Sequence, residues 1–176
     1  MSLKNNKKPK IFSQDEARAA AKAILQAYWK SSDLPIDPEE IGAYFNVRFV
    51  EIDTDDDVAG GIYKKSGYPP LIFVNDRDHT SEHRLTKGHE LGHLYLRQVV
   101  NNERDSTYEY MDLRATLIRD DVNNAEGFAN AFANELIMPQ ELFEQHWKQN
   151  KDFFKMSSIF GVSINAIKRR LEELGL

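Results

Sequence analysis

The chain has 176 residues, 41% of them apolar and 29% charged, the balance of one globular domain with a sizeable core rather than of a disordered chain. It contains no cysteine, which excludes a disulfide framework, a thiolate zinc site and a cysteine nucleophile. The formal net charge is −5, and four of the 23 basic residues fall in residues 1–12, so the acidic remainder is a poor general ligand for nucleic-acid phosphates.

Residues 1–12 read as a flexible basic tail. They lack the apolar stretch of a signal peptide, and nowhere does the chain approach the ~18 apolar residues of a membrane span, so a cytoplasmic protein with no membrane partner is expected. Residues 13–176 read as a single domain. Ser13 caps a helix to about Ser31, with acids in its first turn and Ala17, Ala21, Ile24 and Leu25 at helical spacing. Asp37 caps a short helix that starts at Pro38 and runs to about Phe45. Three strands are expected next: Val47–Ile52, which alternates apolar and polar residues, Ile62–Tyr63 after the Gly60-Gly61 turn, and Leu71–Val74 after Pro69-Pro70. A long helix covers about Ser81 to Val99. Residues 101–123 are charged and show no clean period, which predicts a long variable loop acting as a lid, a binding loop or a disordered excursion. Asn124 caps a helix that stops before Pro139, and another runs from Pro139 to about Gln149. Segment 152–176 reads as a helix to Phe160, a turn at Gly161 and a Ser163-capped helix to Leu174. The order predicts an α+β fold, mostly helical with a sheet of about three strands.

The chemistry concentrates in His89-Glu90-Leu91-Gly92-His93. Histidines four apart on a helix lie on one face and can reach one metal ion, while Glu90 projects close enough to act on water held there. A catalytic zinc site needs a third protein ligand and an open position, and without cysteine the third ligand must be His, Asp or Glu. In the helix from Ala125 to Met138, Glu126 and Asn130 are one turn apart, and Ala129 and Ala133 are small enough to let this helix pack closely against the first. Glu126 is then the third ligand, with Asn130 placed to orient one histidine through its far nitrogen. Taken alone, Glu126 would suit the first turn of a helix on dipole grounds. A second donor to a developing oxyanion is also wanted, and His83, Tyr95, Tyr108 and Tyr110 all remain open for that role. A substrate strand could pair with Leu71, Ile72, Phe73, Val74 and Asn75 if these form a sheet edge, although their continuous apolar run suits an interior strand equally.

His89-Glu-Leu-Gly-His93, followed by Glu126-Gly-Phe-Ala-Asn130-Ala-Phe-Ala-Asn-Glu-Leu-Ile-Met-Pro139 and the closing Phe160-Gly-Val-Ser-Ile-Asn-Ala-Ile-Lys-Arg-Arg-Leu171, resembles the ImmA/IrrE family of zinc metallopeptidase-like proteins. The resemblance spans about residues 13–176 and implies a zincin-like, gluzincin-like domain. Position by position, His89, His93 and Glu126 match the family's Zn2+ ligands and Glu90 its catalytic glutamate. It further implies a metallopeptidase that cleaves or inactivates an Xre-type helix-turn-helix repressor, an anti-repressor role in mobile elements, phage immunity or toxin–antitoxin pairs. Leu85-Thr86-Lys87-Gly88 departs from the family's more apolar lead-in. With no helix-turn-helix at the amino end, the repressor is expected from another chain. The alternative is a non-hydrolytic zinc-binding module that sequesters the repressor. DNA binding by Met156–Leu174, through Lys168-Arg169-Arg170, is set against an ordinary closing helix with an apolar stripe of Ile164, Ile167, Leu171 and Leu174; no direct nucleic-acid binding is expected.

Overall fold

The structure is a computed structural model that describes residues 12–31, 33–113 and 124–176. The predicted tail, apart from Phe12, and the 114–123 part of the predicted loop lie outside the described residues. Helix α1 (Gln14–Tyr28) opens with a reciprocal cap in which Ser13 Oγ accepts from the Glu16 amide at 3.1 Å and the Glu16 carboxylate accepts from the Ser13 amide at 2.8 Å, so two orphan donors of the first turn are satisfied. Helix α2 (Pro38–Ala43) starts on the Asp37 cap and Pro38.

Strands β1 (Arg48–Ile52), β2 (Val58–Lys64) and β3 (Leu71–Asn75) are followed by α3 (Thr80–Tyr95), a π-helical turn (Leu96–Val100) and β4 (Tyr108–Leu113). The sheet order is β1-β3-β2-β4, with β1 parallel to β3 and the other pairs antiparallel. The fold is therefore a mostly helical α+β domain with a small mixed sheet, and that sheet has four strands rather than about three. The fourth lies inside the predicted 101–123 loop. Tyr108-Glu109-Tyr110 carries the alternation of a strand, but the neighbouring Met111-Asp112 breaks it, and β2 pairs with β4 through a register shift between Val58 and Gly60, which blurs a period-2 pattern.

Helices α4 (Asn124–Ile137), α5 (Gln140–Asn150), α6 (Phe153–Phe160) and α7 (Ile164–Leu174) complete the chain. Gly161 sits at φ 63° between α6 and α7, a left-handed position that glycine occupies without a steric penalty. The core gathers Ile24 and Leu25 of α1, Ile62 and Ile72 of the sheet, Leu91 and Leu94 of α3, Phe132 and Leu136 of α4, and Phe143 and Phe160 of α5 and α6. Among the described residues no helix is long and apolar enough to cross a membrane.

Helices α3 and α4 meet along a seam of small residues. A Cβ built at Gly92 would come within 2.9 Å of Ala129 Cα, and one at Gly88 within 3.1 Å of Ile137 Cγ1. Alanine in place of a helical glycine ordinarily gains up to about 1 kcal/mol in propensity. At Gly92 the obstacle is backbone, and overpacking costs about 1–3 kcal/mol. Gly92→Ala is therefore expected to lower the urea midpoint despite the better helix former. A raised midpoint would show that the seam has slack.

Candidate metal centre

The glycine–alanine seam sets the functional geometry, because it brings the His89–His93 face of α3 against the first turn of α4. His89 Nε2 and His93 Nε2 lie 3.0 Å apart, and each is 3.4 Å from a carboxylate oxygen of Glu126. Two ligands of a tetrahedral zinc at Zn–N and Zn–O distances near 2.1 Å are separated by about 3.4 Å, so the three side chains are already spaced close to three corners around one ion. Among the described residues these are the one group able to hold a metal ion. His89, Glu90 and Glu126 are at most 2% exposed and His93 is 5% exposed. Burying two carboxylates together is unfavourable unless opposite charge compensates them, which suits a divalent cation.

Asn130, one turn after Glu126, places its Oδ1 2.8 Å from His89 Nδ1. Nδ1 then carries the proton and donates to the amide oxygen, leaving the Nε2 lone pair for a metal. Glu90 faces the sheet side of the same helix. Gly60 of β2 lets the backbone approach there: a Cβ at that position would meet Thr86 Cγ2 at 2.8 Å and the Phe73 carbonyl oxygen at 2.7 Å, and would lie 3.5 Å from Glu90 Oε1. Sequence reasoning read Gly60 as part of a turn, whereas it lies inside β2, and gave Thr86 no role in the site. The only signal for Thr86 was its position one turn before Glu90.

The other candidates fall elsewhere. His83 is buried against the sheet, with Nε2 2.8 Å from the Asn75 carbonyl oxygen and Nδ1 3.4 Å from Glu51. Its ring is thus occupied on the face that also buries Lys87, which pairs with Glu39 at 2.5 Å and Glu51 at 3.4 Å. Tyr95 stacks on Phe132 and Phe128, a packing role set by its place on the opposite side of α3 from His93. Tyr108 lies under the Arg97 guanidinium at 4.6 Å, and burial pushes its hydroxyl pKa up. Its neighbours, Arg97 and Gln98 of the π-helical turn, Glu103 after it and Lys64 of β2, are none of them in the metal group. Tyr110 pairs with Ile62 in the sheet, and its side chain lies outside the described residues. Segment Leu71–Asn75 is an interior strand, hydrogen-bonded to β1 on one side and β2 on the other. Of the two placements left open there, a free edge and an interior position, the strand takes the interior one: both rows of its backbone groups are taken, as its continuous apolar run allows. Arg170, read as part of a basic cluster, is fully buried.

Residues 42–172 match the Peptidase_M78 model, described as the IrrE N-terminal-like domain. A solved structure of a Mycobacterium tuberculosis transcriptional regulator is similar with a TM-score of 0.61 at 14% identity, over 89% of this chain and 46% of that one. At that identity the likeness shows the fold, and the chain spans about half the length of that protein. A comparison with curated proteins returns no match. Since the matched region contains the sheet, α3, α4 and the whole metal group, the chain belongs to the Peptidase_M78 family of IrrE N-terminal-like domains.

Proposed function

We propose that the chain is a zinc-dependent metallopeptidase acting on a protein regulator of transcription, an Xre-type helix-turn-helix repressor. The observation that carries the reading is the buried His89, His93 and Glu126 group at tetrahedral spacing with Glu90 beside it. Zinc held by these three residues would supply Lewis acidity toward a peptide carbonyl and make water more acidic. The Glu90 carboxylate takes the proton from the attacking water and returns it to the leaving amide nitrogen. Asn130 keeps His89 in the tautomer that presents Nε2. β1 and β4 are the outer strands of the sheet, so an extended substrate segment pairs at one of these edges rather than along β3. The likeness to the fold of a transcriptional regulator supports a regulatory setting for the partner.

Protein purified with zinc is expected to hold about one ion per chain, and His89→Ala or Glu126→Ala to remove it. Asn130→Ala keeps the three ligands and is expected to weaken zinc about 10–100-fold, read by competition with a chelator. A full equivalent of zinc retained in both ligand variants would defeat the assignment. Incubation with the repressor, followed by mass spectrometry of the products, tests the activity.

A further inference from the structure

One member of the metal group, His89, also lines a groove that runs along α3 toward its start. Glu82, Leu85, Thr86 and His89 follow one another at i, i+3, i+4 and i+7 on α3, so they form a stripe that continues the His89–His93 face toward the start of the helix. On α4, Asn130 and Ala133 continue the Glu126 face in the same direction. Helix α7 stands across from them, and Asn165, Lys168 and Arg169 line the far wall of the resulting groove of about 840 Å³, the size range of sites for small ligands and short peptide segments. Its floor of Ala59, Thr86, Ala131 and Ala133 is small and largely apolar.

The α7 wall carries Lys168 and Arg169 beside Glu172 and Glu173, and the side at the start of α3 carries Asp78 and Glu82. Lys168 and Arg169 are exposed on α7, and Glu82 is exposed on α3. Among the described residues neither Arg169 nor Glu82 makes a side-chain ion pair, while Lys168 rests over the Phe153 ring at 5.6 Å. A nucleic-acid duplex brought to α7 would meet the carboxylates of Glu82 and Glu172 in the same groove. A peptide with an acidic side chain beside Lys168 and Arg169 and a basic one beside Glu82 pairs with these three groups.

We propose that this groove is the recognition subsite for a peptide segment of the protein partner, with Lys168 and Arg169 selecting an acidic side chain and Glu82 a basic one. The inference rests on the reading that the partner is a protein, and not on turnover. It makes α7 a specificity wall for the metal centre.

The test is selection of phage-displayed random heptapeptides on the full chain carrying Glu90→Gln, in parallel with the same chain carrying Lys168→Glu and Arg169→Glu, or Glu82→Lys. The parent is expected to enrich peptides with an acid and a base at fixed separation. The α7 double variant is expected to replace the acid by Lys or Arg, with about tenfold weaker binding of the parent's peptides, and Glu82→Lys to replace the base by an acid. Zinc content and melting temperature, measured on each variant, establish that the fold is retained. Lys168→Gln with Arg169→Gln is a milder pair, expected to lose the acid without selecting a base. No enrichment, enrichment indifferent to these reversals, or a gel shift of duplex DNA abolished by the α7 variant in place of peptide selection would each overturn the proposal. Because selection reads binding alone, a chain that never cleaves leaves the result standing, and a chain that cleaves without this selectivity sinks only the groove.

Discussion

Glu90→Gln is expected to lower repressor cleavage by about 10²–10⁴-fold, the range for removing a general base, while zinc content stays at the parent level. The substitution keeps the size and shape of a side chain that is fully buried and removes only its ability to accept a proton. Loss of activity with zinc retained separates the role of Glu90 from those of His89, His93 and Glu126, whose removal is expected to take the ion as well. The same pair of proteins also discriminates between cutting and sequestration. If both variants relieve repression equally with the repressor intact by mass spectrometry, the chain acts by holding its partner, and the peptidase reading fails.

Arg170→Ala is expected to be the most destabilising single change of those considered. The guanidinium is fully buried in α7, bonded to Glu135 at 2.6 Å and to the Met138 carbonyl oxygen at 2.9 Å, and it pairs with Glu173 at 3.0 Å. Glu135 also accepts from the Gln140 amide at 3.2 Å, so one carboxylate joins the end of α4, the start of α5 and the middle of α7. Removing one member of a buried pair leaves the other uncompensated and costs about 3–5 kcal/mol, a fall in melting temperature of roughly 6–20 °C for a chain of this size. The double change Arg170→Met with Glu135→Gln is expected to recover much of the loss, since neither charge is then stranded. A single variant that melts within a degree or two of the parent would mean that the pair contributes specificity without stability.

The parts of the centre that the sequence made legible are those governed by helical spacing. His89 with His93, and Glu126 with Asn130, are each separated by one turn, so a local rule places each pair on one face, and the small residues Ala129 and Ala133 announce a close crossing. What stayed hidden depends on distant partners. His83 could not be separated from a catalytic donor because its two contacts, Asn75 and Glu51, come from different strands. Arg170 follows two exposed bases, Lys168 and Arg169, in sequence, yet its burial is decided by Glu135, 35 residues away. Lys87 and Glu39 are 48 residues apart and read locally as surface charges. The position of Leu71–Asn75 inside the sheet follows from where β1 and β2 pair, which a run of apolar residues cannot specify.

The π-helical turn at Leu96–Val100 carries a consequence for the history of the chain. Such a turn accommodates one residue more than a regular helix would, and single-turn π segments of this kind are often found near functional sites. Because it begins three residues after His93, the surplus residue is absorbed downstream of both imidazoles. An ancestor or relative one residue shorter at this point would keep an uninterrupted helix, the same pair of histidines and the same facing of the following segment. Length variation among relatives should therefore collect at this position.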